Sequence, residues 1–214
     1  LARAFDDTEG GFGRAPKFPH CTHIERLLRH YAQSWQDTQP DEEAMEMAAF
    51  TLKKMSLGGI YDQIGGGFSR YSVDDYWMIP HFEKMLYDNG PLLVLCCELA
   101  LVTGEPLYRK VARETADWVC REMQAGHGGY YSTIDADSEG IEGKYYVWSP
   151  DEVETLLDAD EFQVVGTRFG LGREPNFENE YWHLHVFVDD DELAIQTGFE
   201  AEQVAALIET ARQK

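Results

Sequence analysis

The densest run of chemistry-bearing side chains is YWMIPHFEKMLYDN, residues 76–89. A histidine, a glutamate, a lysine and an aspartate sit there among aromatics and methionines. An unperturbed imidazole titrates near neutrality, so His81 is suited to move a proton at a sugar carbon or hydroxyl, with Glu83 to assist or orient it. Just upstream, GGGFSRYSVDD offers Phe68, Arg70, Tyr71, Asp74 and Asp75. Glycines let backbone approach a ligand, aromatics stack on sugar faces, and an arginine fixes a carboxylate or a pair of hydroxyls. The same residues also suit a plain hairpin joint with Arg70 paired to an acid, and the two readings stay open. GGGFSR lacks the spacing of either common phosphate loop.

A second cluster is TIDADSEGIEG, with Asp135 and Asp137 two residues apart. On an extended segment they share one face, roughly 6–7 Å apart. That suits two ligands for one substrate better than a general acid and base flanking a glycosidic bond. Asp135 joins His81 and Glu83 as a catalytic candidate. Asp137 and Trp148 join Phe68, Arg70 and Tyr71 as substrate-binding candidates. Solvated turn acids are the competing reading of this loop. A calcium loop fails at its twelfth position, which is Tyr146. His183 and His185 alternate without a third ligand at zinc spacing, and no G-x-S-x-G or Cys–His nucleophile signature occurs. Neither a metal nor an organic cofactor is expected.

Three glycine-aromatic signatures punctuate the chain: GGFGRAPKFP, GGGFSRYSVD and GGYYSTIDAD. Their aromatics Phe12, Phe68 and Tyr130 lie 56 and 62 residues apart. Each interval has room for two helices. The first carries Ile24, Leu27, Leu28, Tyr31 and Trp35 on one helical face, then Met45, Ala48, Leu52 and Met55 on another, stopped by Gly58-Gly59. The second opens at Asn89-Gly90-Pro91 with proline as first helical residue. PLLVLCCELALV is apolar nearly all round, which predicts a helix buried on every side. Its partner is striped by Tyr108, Ala112, Ala116, Val119 and Met123. Pro80 is likewise expected to begin a helix, with Lys84 paired to Asp88 or Glu83. GGYYSTID and GKYYVW read as two strands around the acidic loop, Ser149 to Glu152 as a capping box, YWHLHVFV as a strand, and DDDELA and AEQVAALIETARQK as helices. A helical hairpin every ~60 residues is the pattern of an α/α toroid or solenoid, with the glycine loops gathered at one end. We therefore expect a mainly α chain forming part of an α/α toroid, with a short β-hairpin near 128–148. The organisation expected is a single domain with repeats at about 10–64, 65–127 and 128–170 and a tail at 171–214.

The chain has 39 acidic against 18 basic residues, a formal charge of −21. Such a field repels phosphate backbones and anionic lipid, so neither nucleic acid nor membrane is expected as a partner. A halophilic or acid-rich cytosol would account for the bias. The four cysteines form no C-x-x-C pair and read as core thiols of a cytoplasmic protein. The apolar run Pro91 to Val102 is too short to span a bilayer.

GGFGRAPKFPH, GGIYDQIGGGFSRYSVDDYWMIPHFEKMLYDNGPLL and DADSEGIEGKYYVW resemble, in order and over about residues 10–185, the signatures of the spermatogenesis-associated protein 20 family. In that family a thioredoxin-like domain precedes a helical domain similar to N-acylglucosamine 2-epimerases and six-hairpin glycosidases. None of these signatures belongs to the thioredoxin-like portion, which is not expected in this chain, so the resemblance carries over no redox activity. It implies a fragment of the helical domain and acid–base chemistry on a small saccharide, as in a sugar epimerase, isomerase or glycosidase, with His81 nominated for proton transfer. The alternative is a non-catalytic scaffold serving a thioredoxin-like domain or a protein partner. A partial toroid is expected to self-associate or to contact the missing half.

Overall fold

Helical hairpins form the first part of the chain. In the computed structural model, which describes residues 1–36 and 39–214, α1 (Cys21–Ser34) buries Ile24, Leu27 and Leu28. Trp35 falls just past the helix and is exposed, so it leaves the expected stripe. Asp41 caps α2 (Glu42–Leu57) by accepting the Ala44 N–H, and Met45, Ala48, Leu52 and Met55 are buried as their spacing requires. α1 packs on α2.

The next helix departs from expectation twice. α3 spans Leu86–Thr103, which puts Pro91 inside it rather than at its start. The buried Asn89 explains the earlier start. Its side-chain amide donates to the Phe68 and Met85 carbonyls (both 2.9 Å), and its oxygen accepts the Phe68 N–H (2.7 Å). These bonds hold the first turn and offset the one that proline cannot make. Nor is α3 buried on every side. Leu92, Leu95, Cys96 and Leu99 face the core, whereas Val94, Cys97, Leu101 and Val102 are exposed. An all-round apolar sequence says what a helix can bury, not how many neighbours cover it. At 18 residues α3 also exceeds the apolar run read from sequence and is long and apolar enough to cross a bilayer. Here one of its faces packs in a protein core. α4 (Pro106–Trp118) starts on Pro106, buries Tyr108, Val111, Ala112 and Trp118, and runs into a π-helical turn, Val119–Met123. It packs on α3 and α2.

Pro80 begins a strand, not a helix. β1 (Tyr71–Ser72) pairs antiparallel with β2 (Pro80–His81), with Tyr71 opposite His81. β3 (Lys84–Met85) pairs with β4 (Thr133–Ile134). From Pro80 to Met85 burial alternates: Pro80, Phe82 and Lys84 are buried, while His81, Glu83 and Met85 are only partly so. A charged residue on the inner face hides this two-residue period from a hydrophobicity reading. The acidic loop is itself a hairpin, β5 (Asp137–Ser138) with β6 (Ile141–Glu142), and not a loop between paired strands.

The described residues form two compact units, Leu1–Gly143 and Lys144–Lys214. In the second, β7 (Val147–Trp148) pairs with β8 (Trp182–His183). Of YWHLHVFV, only Trp182–His183 pairs as a strand. α5 (Pro150–Leu156) carries the expected Ser149–Glu152 capping box, and α6 (Ala159–Phe169) a second box from Asp158 and Glu161. α7 (Asp190–Thr197) and α8 (Ala201–Arg212) complete this unit, which packs Val164, Val188, Leu193, Val204 and Ile208.

Candidate functional site

Two of the glycine-aromatic loops are built alike. Asp6 Oδ1 accepts the N–H groups of Thr8 (3.1 Å) and Glu9 (3.0 Å), the Asp6 N–H donates to the Gly11 carbonyl, and the Gly10 N–H returns to the Asp6 carbonyl. Asp62 repeats each bond with Ile64, Gly65, Gly67 and Gly66. The other carboxylate oxygen of each takes a buried lysine at 2.8 Å, Lys17 on Asp6 and Lys84 on Asp62. Each ammonium also donates to a backbone carbonyl, of Asp75 or Gly66, and lies 5.0 Å from the ring centre of Trp77 or Trp118. Burial works to raise the Asp62 carboxyl, but Lys84 and the turn's N–H groups outweigh it and hold it below the usual carboxylate range. Lys84 thus pairs with Asp62, not with Asp88 or Glu83. Phe68, expected to face a ligand, is fully buried against Tyr61 and packs the joint instead.

On the outer face of that joint stand the candidates for chemistry. The Arg70 guanidinium donates to Glu83 Oε2 at 2.9 Å, and hydrogen bonds to Glu83 and Tyr87 raise its already high pKa. Tyr71 stacks on His81, with ring centres 5.0 Å apart. His81, 28% exposed, has Nδ1 3.7 Å from Glu83 Oε2 and Nε2 3.7 Å from Glu142 Oε1. Its Nδ1 is buried and makes no hydrogen bond among the described residues. Glu142 arrives on the acidic hairpin, whose foot sits on the His81 strand. Gly143 lies against the Phe82 ring so closely that a Cβ there would come within 2.5 Å. An imidazole with a carboxylate near each nitrogen, beside a fixed guanidinium, is an arrangement for moving a proton.

The structure thus assembles Arg70, Tyr71, His81 and Glu83, and adds Glu142, which sequence reading missed. Asp137 lies across the hairpin from Glu142. Asp135 is exposed, and its carboxylate accepts the Asp137 N–H at 3.2 Å. Trp148 belongs to the second unit, paired with Trp182. Asp74 and Asp75 are structural. Asp74 accepts the N–H groups of Tyr76, Met78 and Ile79, and Asp75 that of Ala15.

Beside this cluster a cleft of about 520 Å³ opens between the start of α1 and the first turns of α3. Phe18, His20, Glu25, Tyr87, Asp88 and Glu98 line it. Phe18 meets Tyr71 at 4.8 Å between ring centres, which joins the cleft to the Tyr71–His81 stack. Burial pushes the Asp88 carboxyl up to about 6 despite the nearby Arg70. Burial and the neighbouring His23 lower the pKa of the His20 imidazole. Sequence could have offered Tyr87 and Asp88 only by starting α3 at Leu86.

Among the described residues no group of three His, Cys, Asp or Glu side chains is placed to hold a metal. All four cysteines are free. Cys96 is a core thiol as expected, but Cys97 and Cys120 are exposed.

Comparison with known proteins agrees with this picture at the level of fold and family. No protein-family model matches the chain. Among solved structures, a sugar epimerase from a ruminal bacterium matches 98% of the chain and 49% of its own length, with TM-score 0.50 and 15% identity. Cellobiose 2-epimerase from Bacillus thermoamylovorans matches 98% of the chain and 67% of its own length, with TM-score 0.51 and 12% identity. The fold is accordingly mainly α, a partial α/α toroid. In sequence, mouse spermatogenesis-associated protein 20 is 37% identical over the whole chain, and the human protein is 43% identical over 73% of it. The chain spans 30% of the mouse relative and 21% of the human one. By this identity, and by the signatures that carry it, the chain belongs to the spermatogenesis-associated protein 20 family.

Proposed function

We propose that this chain carries part of a carbohydrate-acting site, in which His81 moves a proton on a saccharide and Arg70 and Glu83 orient it. The observation that supports this reading is the placement of His81 within 3.7 Å of both Glu83 and Glu142, next to a pinned Arg70. Glu142 joins His81 and Glu83 in this reading as a carboxylate from another segment. A fold shared with sugar epimerases supports the substrate class. The test is exchange of deuterium from solvent into a panel of reducing sugars by the full-length protein, followed by mass or NMR. Exchange is expected at the carbon next to the carbonyl. His81→Gln should lower it by about 100- to 10,000-fold, with the melting temperature nearly unchanged.

A second reading, a non-catalytic scaffold for a thioredoxin-like domain or a protein partner, has its own observation. The Asp6–Lys17, Asp62–Lys84 and Arg70–Glu83 pairs are formed within the chain. No exchange and no turnover with any sugar would favour it.

A further inference from the structure

We propose that the cleft between the start of α1 and the first turns of α3 binds an uncharged sugar ring and rejects phosphorylated sugars. Recognition would come from the rings of Phe18 and Tyr87 and from hydrogen bonds to Asp88, His20 and Glu98. The inference rests on the carbohydrate reading above and adds a place and a charge class for the ligand.

Four observations carry it. The cleft's volume, about 520 Å³, is in the ordinary range for a small-ligand pocket. An aromatic comes from each side, Phe18 from the segment before α1 and Tyr87 from the first turn of α3, and both rings are more than a third exposed. Their exposed faces are suited to the apolar face of a pyranose. The polar groups are mostly acceptors: the carboxyls of Glu25, Asp88 and Glu98, with the His20 imidazole beside them. Two cations bear on the lining, and each is held by a carboxylate: Arg29 by Glu25 at 2.8 Å, and Arg70, near Asp88, by Glu83 at 2.9 Å. A phosphate or carboxylate would therefore meet repulsion, while the hydroxyls of a neutral sugar would meet acceptors. The Phe18–Tyr71–His81 line of ring contacts connects the cleft, through the Tyr71 ring, to the group proposed to move the proton.

Equilibrium binding to the full-length protein tests the assignment without requiring turnover. Glucose, mannose, galactose, N-acetylglucosamine and glucose 6-phosphate would be titrated and followed by ligand-observed NMR. At least one neutral sugar is expected to bind at least ~10-fold more tightly than glucose 6-phosphate. Phe18→Ala and Tyr87→Ala should each weaken that sugar by about tenfold, the loss of one stacking face. Glu98→Lys, at an exposed position, should narrow or reverse the discrimination against the phosphate. Ile195→Ala, on an exposed face of the second unit, should change nothing. The assignment is overturned if no neutral sugar binds, if glucose 6-phosphate binds as well as the neutral sugars, or if the two aromatic variants bind like the parent. Binding without deuterium exchange would sink the proton-transfer reading and leave this one standing. Exchange that the cleft variants leave untouched would do the reverse.

Discussion

The second and third glycine-aromatic loops share a pattern of backbone bonds, closed one residue shorter in the third, and differ in what seats it. In both, the residue opening the turn trades backbone hydrogen bonds with the glycine pair: Asp62 with Gly66 and Gly67, Ala125 with Gly128 and Gly129. Both close with a bridge, Tyr61 to Phe68 and Gln124 to Tyr130. The second loop adds Asp62, the buried Lys84 and a Trp118 ring lying on Gly67. The third has Ala125 where the aspartate would stand, no heavy atom within 4 Å of a Cβ built on Gly128 or Gly129, and Tyr130 half exposed. The turn is therefore a local product of glycine and backbone bonding. The buried ion pair belongs to the packing that covers it, and it is present where a tryptophan and a helix close over the loop.

The sharpest way to break this contrast is to leave one charge of the pair alone. Lys84→Met strands Asp62 and should cost about 3–5 kcal/mol in denaturant unfolding, because an unpaired buried charge retains its full desolvation penalty. Asp62→Ala combined with Lys84→Met imitates the third loop and should recover most of that loss. If the double variant is as unstable as the single, the pair is not the unit described here.

Backbone substitutions give the next largest difference. A Cβ on Gly67 would lie 2.7 Å from the Trp118 ring at a φ of +82°, so Gly67→Ala should cost about 2–4 kcal/mol. Gly129→Ala has nearly the same φ, +81°, and open space, so about 1–2 kcal/mol is expected from backbone strain alone. Equal losses in thermal unfolding would mean that the packing difference carries no energy.

The smallest effect separates two carboxylates of the first unit by pH. Asp62 is held below its ordinary value, so its contribution is present above the unfolded pKa and is lost as pH falls through the folded one. Asp88 shifts the other way, from 3.8 to about 6, so the folded state binds its proton more tightly than the unfolded state does. Its contribution is fully present below about pH 4 and is lost as pH rises through about 6. Asp88→Asn should flatten stability between those limits and leave the acid limb unchanged. An unchanged slope between pH 4 and 6 would remove Asp88 as its source.

Much of the helical frame was legible because its signals are local. Ile24, Leu27 and Leu28, or Met45, Ala48, Leu52 and Met55, recur at helical spacing on faces that are indeed buried. The capping box at Ser149 and Glu152 needs only four residues. The site was half legible. His81, Glu83, Arg70 and Tyr71 stand out by type and proximity, but the spacing from Pro80 onward predicts a helix where the chain forms strands. The inward lysine disguised a two-residue period, and Asn89, bonded across to Phe68, starts α3 earlier than its proline suggests.

Sequence alone determined the family, the recurrence of glycine-aromatic turns and the helices between them. Each of these follows from residue type and short spacing, which fix backbone preference and apolar faces. Tertiary structure decided which polar residues became structural and which remained available. Lys84 is expected from sequence to pair with Asp88 or Glu83, yet it and Lys17 are buried on aspartates 22 and 11 residues away. Glu142 reaches His81 because a hairpin sixty residues downstream rests on Phe82. Ion pairing, desolvation and steric fit act through space between distant segments, and neither residue type nor local period encodes that distance.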